Sequence, residues 1–411
     1  MISDIQAAVQ SVREEATQFL CELIRYPSLP GQEAGVMRHA SLRFAELGSV
    51  EHVALSNELR QDVDYSNPLP DIEYEGRYNL RVRVPGTGKG RTLLLNAHLD
   101  VVPASEGQDR PFDPVVRDGI VYGRGACDDK GQAATIFAAL SAIARLGYAF
   151  RGDIIIHLVN EEEVGGNGTL AMIRRGEVAD GCIVLEPTDL KIGCSNRGAV
   201  WFRVICTGKP GHSGQAQGPV SALKMATRVI EILEQYQARL LESSRGIAFF
   251  DDHPNPMPIT FGKLNAGNWP ATAPAHAVIE GVLGFLPNKT RFQIMQEMRE
   301  AIREAGDPWL KENFTLEFMY RHDAQVLAPT HPLVSELQVA CREAGSGDNV
   351  AAITASSDSW YYGNQLEIPT LVFGPGSLSD AHSNHEQVRM DEVCRAAVIL
   401  VRFCERWCGK A

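Results

Sequence analysis

The sequence predicts an α/β protein: a main domain with a central, mostly parallel sheet and flanking helices, interrupted by an inserted α+β domain. Three observations lead to this prediction. With 411 residues, the chain is too long for one ordinary core, so two domains are expected. Apolar runs typical of strands alternate with helical segments through the first half, as in a parallel sheet. The alternation stops near Gly198 and returns near Pro329, which indicates an insertion.

The first half supplies most of the main sheet. The segments 92–98, 153–160 and 181–186 are almost wholly apolar, as in strands that are covered on both faces. The other predicted elements are an amphipathic N-terminal helix, helices over 35–47 and 133–146, and a strand over 78–84. The stretch 55–76 is rich in Asp, Asn, Glu and Pro and is predicted to be a surface loop.

The inserted segment is predicted to be a compact α+β unit. Its elements are strands over 199–207, 259–264, 277–286 and 314–320, and helices over 220–243 and 290–305. The main domain resumes with a helix over 331–344, a strand over 370–373 and a helix over 389–408. We therefore assign residues 1–197 and 323–411 to the main domain and 198–322 to the inserted one. The strand at 199–207 is predicted to be an edge strand that a second copy can pair with.

Composition limits the partners. The chain carries 51 acidic and 39 basic residues, a formal net charge of -12, which disfavours nucleic-acid binding. No apolar run reaches the ~18 residues of a membrane span, so no membrane partner is expected. The nine cysteines form no CxxC pair, which favours reduced thiols in the cytoplasm over a zinc–thiolate site.

Five segments, each near the end of an apolar strand, hold candidate metal ligands. They are LNAHLD with His98 and Asp100, GRGACDDKG with Asp128 and Asp129, NEEEVGG with Glu161 to Glu163, VLEPT with Glu186, and GPGSLSDAHSNHE with His382, His385 and Glu386. Ligands bind at the carboxyl ends of strands in open α/β sheets. Each segment alone also fits a purely structural role. Together they offer imidazole and carboxylate donors, which suit zinc, with cobalt or manganese as alternatives.

Two of these segments indicate roles directly. Strand alternation places His98 and Asp100 on one face, so that Asp100 can orient the imidazole. Three adjacent glutamates repel one another unless cations or protons neutralise them. A metal ligand beside a general base requires such an adjacent acidic pair.

In this order, the five motifs resemble the metallopeptidase M20 family, in particular its acetylornithine deacetylase and succinyl-diaminopimelate desuccinylase branch. The resemblance covers nearly the whole chain. It implies a catalytic domain that binds two divalent metal ions and an inserted lid and dimerisation domain. The ligand set it implies is His98, Asp128, Glu163, Glu186 and His382.

Within that set, the resemblance assigns individual roles. Asp128 bridges both metals and precedes a non-proline cis peptide bond. Glu186 joins His98 on one metal, and His382 joins Glu163 on the other. Counting back from Gly165 in the EExG motif makes Glu162 the general base. Asp100 is not a ligand in this scheme and orients the His98 imidazole.

The inserted domain carries further implied residues. His212, in GKPGHSG, is expected to reach the partner subunit's active site in a homodimer and stabilise the oxyanion. Asn268, in LNAGNWP, is expected to contact substrate, as is Gly376 in the Gly-Pro loop before His382.

Two positions depart from the family pattern. Gly284 stands where relatives carry an Arg that binds the substrate carboxylate, so either this carboxylate contact is absent or another group such as Arg197 or Arg321 supplies it. His385 replaces a customary Asn or Asp and is a competing ligand, although His382 is favoured.

The expected function is therefore hydrolysis of the amide bond of a small N-acyl amino acid. A dipeptidase or carboxypeptidase with the same machinery is the first alternative. A binding protein with a relic site is the second, and the complete ligand set argues against it.

Overall fold

The computed structural model describes residues 2–69, 72–214 and 217–411. Its helices are α1 (Ile2–Ile24), α2 (Ala34–Phe44), α3 (Lys130–Leu146), α4 (Asn167–Ile173), α5 (Ala222–Ser243), α6 (Arg291–Ala305), α7 (Pro308–Glu312), α8 (Pro332–Glu343) and α9 (Met390–Cys404). Its strands are β1 (Ser49–Ala54), β2 (Tyr78–Val84), β3 (Leu93–His98), β4 (Val115–Arg117), β5 (Ile120–Tyr122), β6 (Ile154–Val159), β7 (Gly181–Val184), β8 (Ile192–Asn196), β9 (Gly198–Thr207), β10 (Gly211–His212), β11 (Ile259–Ala266), β12 (Thr272–Ala273), β13 (His276–Phe285), β14 (Phe314–His322), β15 (Gln325–Val326), β16 (Val350–Ile353), β17 (Thr370–Val372) and β18 (Gln387–Arg389). No helix in these ranges is long and apolar enough to cross a membrane. The nine cysteines are buried and free of disulfides.

The large sheet has the order β1-β2-β6-β3-β7-β17-β8-β15, with β16 beside β8. Strands β6, β3, β7 and β17 run parallel at its centre, and β1 and β2 join antiparallel at one side. The predicted α/β fold is therefore confirmed. Helices α1, α3 and α9 cover one face, and α4 contributes to the cover of the other. Because β3 and β6 are buried throughout, these strands are apolar on both faces.

A smaller antiparallel sheet has the order β11-β13-β9-β14. Helices α5 and α6 pack on one face of it, against Val200, Phe202 and Val204 of β9. Because side chains alternate along a strand, Trp201 and Arg203 lie on the other face. All four strands lie between Gly198 and His322, and the division into catalytic and lid domains at the stated bounds stays a prediction.

The prediction that residues 199–207 form an edge strand is wrong. Strand β9 pairs with β13 on one side and β14 on the other. The edges of this sheet are β11 and β14. An alternating pattern shows that one face of a strand is buried, but it carries no information on how many neighbours pair with the strand.

The prediction of a surface loop over 55–76 is also wrong in part. Ser66 and Tyr74 are buried, although the segment is polar. Asp64 forms ion pairs with Arg174, the residue directly after α4, at 2.9 Å, and with Arg291 of α6, at 2.8 Å. Asp64 therefore links the end of α4 to α6, and both of these partners are distant from it in sequence.

Candidate metal centre

Three neighbouring parallel strands bring candidate ligands to one edge of the large sheet. His98 is the last residue of β3, Glu163 lies in the short 3-10 turn Glu162–Val164 after β6, and Glu186 follows the end of β7. Because β6, β3 and β7 are adjacent and parallel, their carboxyl ends meet. Asp128, just before α3, and His382, after β17, complete the set.

These side chains form two groups that share one carboxylate. His98, Asp128, Asp129 and Glu186 make the first group, and Asp128, Glu163 and His382 make the second, with donor atoms within 4.8 Å of one another in each. Asp128 Oδ1 lies 3.0 Å from His98 Nε2, and Asp128 Oδ2 lies 3.3 Å from His382 Nε2. All five side chains in the predicted set are thus brought together. Asp129 is an additional member that the implied ligand set leaves out.

Asp100 orients more than the imidazole. His98 Nδ1 donates to the Asp100 carbonyl oxygen at 3.0 Å and lies 3.4 Å from its carboxylate, which leaves Nε2 facing the cluster. The Asp100 carboxylate accepts the backbone N–H groups of Glu162 and Glu163, both at 3.1 Å. One side chain therefore fixes the positions of the first and third motifs relative to each other.

The three adjacent glutamates separate into different environments. Glu161 has a φ of 62° and turns away from the cluster, where its buried carboxylate accepts hydrogen bonds from Tyr74 and Asn167 and pairs with Arg77. Glu163 Oε1 lies 3.0 Å from His382 Nε2. The repulsion expected from three adjacent anions is reduced because Arg77, which is remote in sequence, forms an ion pair with Glu161.

Glu386 stabilises the loop that carries Asp128 through hydrogen bonds to its backbone. Its carboxylate accepts the backbone N–H groups of Gly125, Cys127 and Asp128 at 2.9–3.2 Å and pairs with Arg124. The peptide bond between Asp128 and Asp129 is cis, as the resemblance implies.

His385 lies outside both groups. It lines a separate cleft of about 310 Å³, together with Tyr122 and Asp113. The choice of His382 over His385 as the ligand stays a prediction, with this geometry in its favour.

The cluster carries excess negative charge. Burial and the neighbouring Asp129 and Asp128 charges raise the pKa of Glu186 well above its usual value. The Glu163 charge is the main reason why the pKa of His382 rises to about 11. Burial alone would lower the pKa of His98, but the surrounding aspartates raise it well above its usual value. Bound cations would neutralise this charge.

The donors fit two divalent ions. Imidazole nitrogens and carboxylate oxygens are the ligands of catalytic zinc, and no thiolate belongs to either described group. A buried oxygen, Asp129 Oδ1, has no hydrogen-bond partner among the described residues. Buried polar atoms are rarely left without a partner, so this oxygen favours an ion at the first group.

His212 and Asn268, the two residues predicted to act from an inserted domain, are both exposed and lie near the β10–β12 pair. His212 in β10 pairs with Thr272 in β12, and Asn268 lies in the exposed turn that precedes β12. In the described ranges, no hydrogen bond or ion pair joins either one to the ligand cluster. His212 Nδ1 accepts the N–H of Gly214 at 3.0 Å, so a neutral ring carries its proton on Nε2.

Arg197 occupies the space that the glycine at position 284 leaves. A Cβ atom built on Gly284 would lie 2.2 Å from Arg197 Nη1. Nε and Nη1 of Arg197 are buried and have no hydrogen-bond partner in the described structure. Burial lowers the pKa of Arg197 to about 10, so the guanidinium stays charged at neutral pH. Arg321, the other expected replacement, instead donates to the backbone oxygen of Tyr65.

Gly376 has a different environment from the one expected. Its N–H donates to Glu392 and its carbonyl oxygen accepts from the Asp189 N–H. A side chain there would approach Cys127 Sγ to 2.8 Å at a φ of 81°, so the turn requires glycine. Its substrate contact stays a prediction that none of these contacts supports.

Two buried residues lie near the turn over 162–165, here called the glutamate turn. No pattern in the sequence pointed to either of them. Asp358 accepts a hydrogen bond from Thr169, and burial raises its pKa to about 7. Tyr320 donates to Ser356 Oγ at 2.9 Å, and its ring lies against Gly165. Neither residue lies in a recognisable motif; only their proximity in the fold indicates a role.

Comparison with known proteins agrees with this geometry. The model of peptidase family M20/M25/M40 matches residues 94–406, which is most of the chain. The chain belongs to this family. The M20 protein is therefore a hydrolase of the peptide or N-acyl amino acid type.

Relatives with named activities match over almost their whole length. A succinyl-diaminopimelate desuccinylase of Methylorubrum populi is 30% identical over 414 residues, which cover 94% of this chain and 96% of the relative. An N-formyl-4-amino-5-aminomethyl-2-methylpyrimidine deformylase of Bacillus subtilis is 26% identical over 443 residues, which cover 100% and 98%. The solved dipeptidase Dug1p of Saccharomyces cerevisiae has the same fold, with a TM-score of 0.79, 14% identity and coverage of 99% and 98%.

Proposed function

We propose that this M20 protein is a di-metal amidohydrolase that removes the acyl group from a small N-acyl amino acid. The observation that carries the proposal is the pair of ligand groups sharing Asp128. The resident ions are two zinc ions, with cobalt or manganese as alternatives. The desuccinylase and the deformylase both remove an acyl group from an amine, which favours a deacylase over a peptidase.

The protein's own residues handle the protons. The two ions, when bound, supply Lewis acidity that polarises the amide carbonyl and lowers the pKa of water. Burial, together with nearby carboxylates, raises the pKa of Glu162 well above its usual value, which suits a group that takes up a proton. Glu162 removes a proton from the attacking water and delivers it to the leaving nitrogen. The C–N bond breaks, a C–O bond forms, and the products are a carboxylate and an amine.

Arg197 is proposed to bind the carboxylate of the amino-acid part. Its guanidinium lies where Gly284 leaves room, and two of its nitrogens have no hydrogen-bond partner among the described residues. Substrates whose carboxylate is replaced by a carboxamide would lose this charged contact.

A substrate screen tests the proposal. Zinc-loaded protein is assayed with N-acetyl, N-succinyl and N-formyl amino acids, with their carboxamides, and with dipeptides. N-acyl amino acids should give the highest kcat/KM, and each carboxamide should be at least about 10-fold poorer. A higher kcat/KM for dipeptides would show that the protein is a dipeptidase and not a deacylase. Equal rates on acids and carboxamides would remove the role of Arg197, and no turnover of any amide would overturn the proposal.

His212 is proposed to complete the active site of a second subunit. Among the described residues its Nε2 has no hydrogen-bond partner, so in a neutral ring it can donate to an oxyanion, and the side chain lies on the surface without a hydrogen bond to its own ligand cluster. The exposed edge strand β11 offers unpaired backbone groups for a symmetric dimer. His212 would then act across the interface.

Complementation between two inactive variants tests this arrangement. When His212→Ala and Glu162→Gln chains are mixed and allowed to exchange subunits, about a quarter of wild-type activity should return, because half of the dimers are mixed and each has one intact site. Each variant alone is the control. Heterodimers that form but remain inactive would contradict a role in trans.

A further inference from the structure

A mostly apolar cleft of about 180 Å³ opens between Val164 of the glutamate turn and the face of the smaller sheet that α5 and α6 do not cover. Val164, directly after Glu163, forms one wall. Trp201, Val282 and Met319 from three strands of the sheet form another.

Two features place this cleft next to the turn that carries Glu162 and Glu163. Val164 lies one residue, or about 3.8 Å between Cα atoms, from Glu163. The Trp201 ring stacks on Tyr320 with centroids 5.7 Å apart, and Tyr320 lies against Gly165 of the same turn. A group in the cleft would therefore lie next to the turn that carries Glu162 and Glu163.

The lining determines what kind of group fits. The cleft has two charged side chains in its lining, Lys263 and Glu280, and they pair with each other at 3.4 Å. Glu280 also pairs with Arg203. Because these charges are already satisfied, the cleft offers none to an ionic ligand. An apolar cavity of about 150 Å³ holds one benzene molecule, so this cleft has room for one ring.

We propose that this cleft is a specificity pocket for an uncharged, ring-bearing part of the amide substrate. The proposal rests on the proposed amide hydrolysis and adds the class of substrate. It places the ring between Trp201 and Val164 and leaves the amide at the ligand cluster.

Val282 allows a matched test. Its side chain lines the cleft, on the same face of β13 as Val278, which lies four residues away, pairs with Ile205 and does not line it. Val282→Phe fills the cleft, and Val278→Phe adds the same bulk to the same strand outside it. Val282→Ala enlarges the cleft.

Kinetics with two substrate pairs measure the effect. The kcat/KM of N-benzoylglycine and of N-acetylphenylalanine is compared with that of N-acetylglycine for the zinc-loaded wild type and each variant. At least one ratio should fall about 10-fold or more in Val282→Phe and stay at the wild-type value in Val278→Phe. Val282→Ala should shift preference from benzoyl towards the larger naphthoyl group. Ratios that move equally in Val282→Phe and Val278→Phe would overturn the pocket.

A binding measurement separates this proposal from the proposed function. Saturation-transfer NMR with benzamide should detect ring contact with the wild type and Val278→Phe, and a weaker contact with Val282→Phe. If none of the amides is cleaved but this pattern is observed, the hydrolase proposal fails and the pocket stands. Turnover without ring contact in the wild type would overturn the pocket alone.

Discussion

Glu162→Gln is expected to lower kcat by about 10²–10⁴ and to leave the metal content unchanged. The substitution keeps the shape of the side chain but removes the basic carboxylate. Glu162 belongs to neither of the two ligand groups, whereas its neighbour Glu163 belongs to one of them. Its backbone N–H would still be held by Asp100. Steady-state kinetics and elemental analysis on the same preparation measure both quantities.

Glu163→Gln is the matched variant, and unlike Glu162→Gln it should lower the metal content. Its carboxylate lies 3.0 Å from His382 Nε2, in the group with Asp128. Losing that charge should weaken one metal site, so that metal content and activity fall together. If Glu162→Gln loses metal and Glu163→Gln keeps it, the two roles have been assigned in the wrong order.

Chelation is expected to destabilise the protein, and more strongly at about pH 8 than at about pH 5.5. In the metal-free protein, the pKa of Glu186 is raised above 4.5, so the folded state retains a proton that the unfolded chain loses, and this stability is lost as the pH rises. The pKa of His382 is raised from 6.5 to about 11, so its contribution is full below 6.5 and also falls as the pH rises. The two effects have the same sign.

Bound zinc should remove this pH-dependent loss because the ions replace the protons. The gap in unfolding temperature between loaded and chelated protein should therefore widen from about pH 5.5 to about pH 8. One site at 1,000 times its Kd contributes about 4.1 kcal/mol. Glu33, whose pKa is about 8 because of burial, titrates in both forms and cancels in the difference. A gap that narrows with rising pH would contradict the charge balance described for the cluster.

The sequence predicts best what depends on local pattern. The apolar runs located β3, β6 and β7 to within two residues, because buried parallel strands are apolar on both faces. The ligand cluster was also predictable, since His98, Glu163 and Glu186 each follow one of these strands. Strands β8 and β16 were missed because they are short and have mixed composition.

What the sequence does not predict depends on contacts between distant residues. The ion pair of Arg77 with Glu161 spans 84 positions, and the position of Arg197 over Gly284 depends on the pairing of β9 with β13. Neither contact corresponds to a recognisable motif in the sequence. The central place of β9 likewise follows from the return of β14, which hydrophobic alternation cannot show.

Zinc titration of the chelated protein tests whether it is a two-metal hydrolase in which Asp128 belongs to both ligand groups. Bound zinc is measured by elemental analysis, and activity on the best N-acyl amino acid is followed at each addition. We expect activity to rise until about two equivalents are bound, and Asp128→Asn to prevent tight binding of both. Full activity with a single tightly bound ion would contradict it.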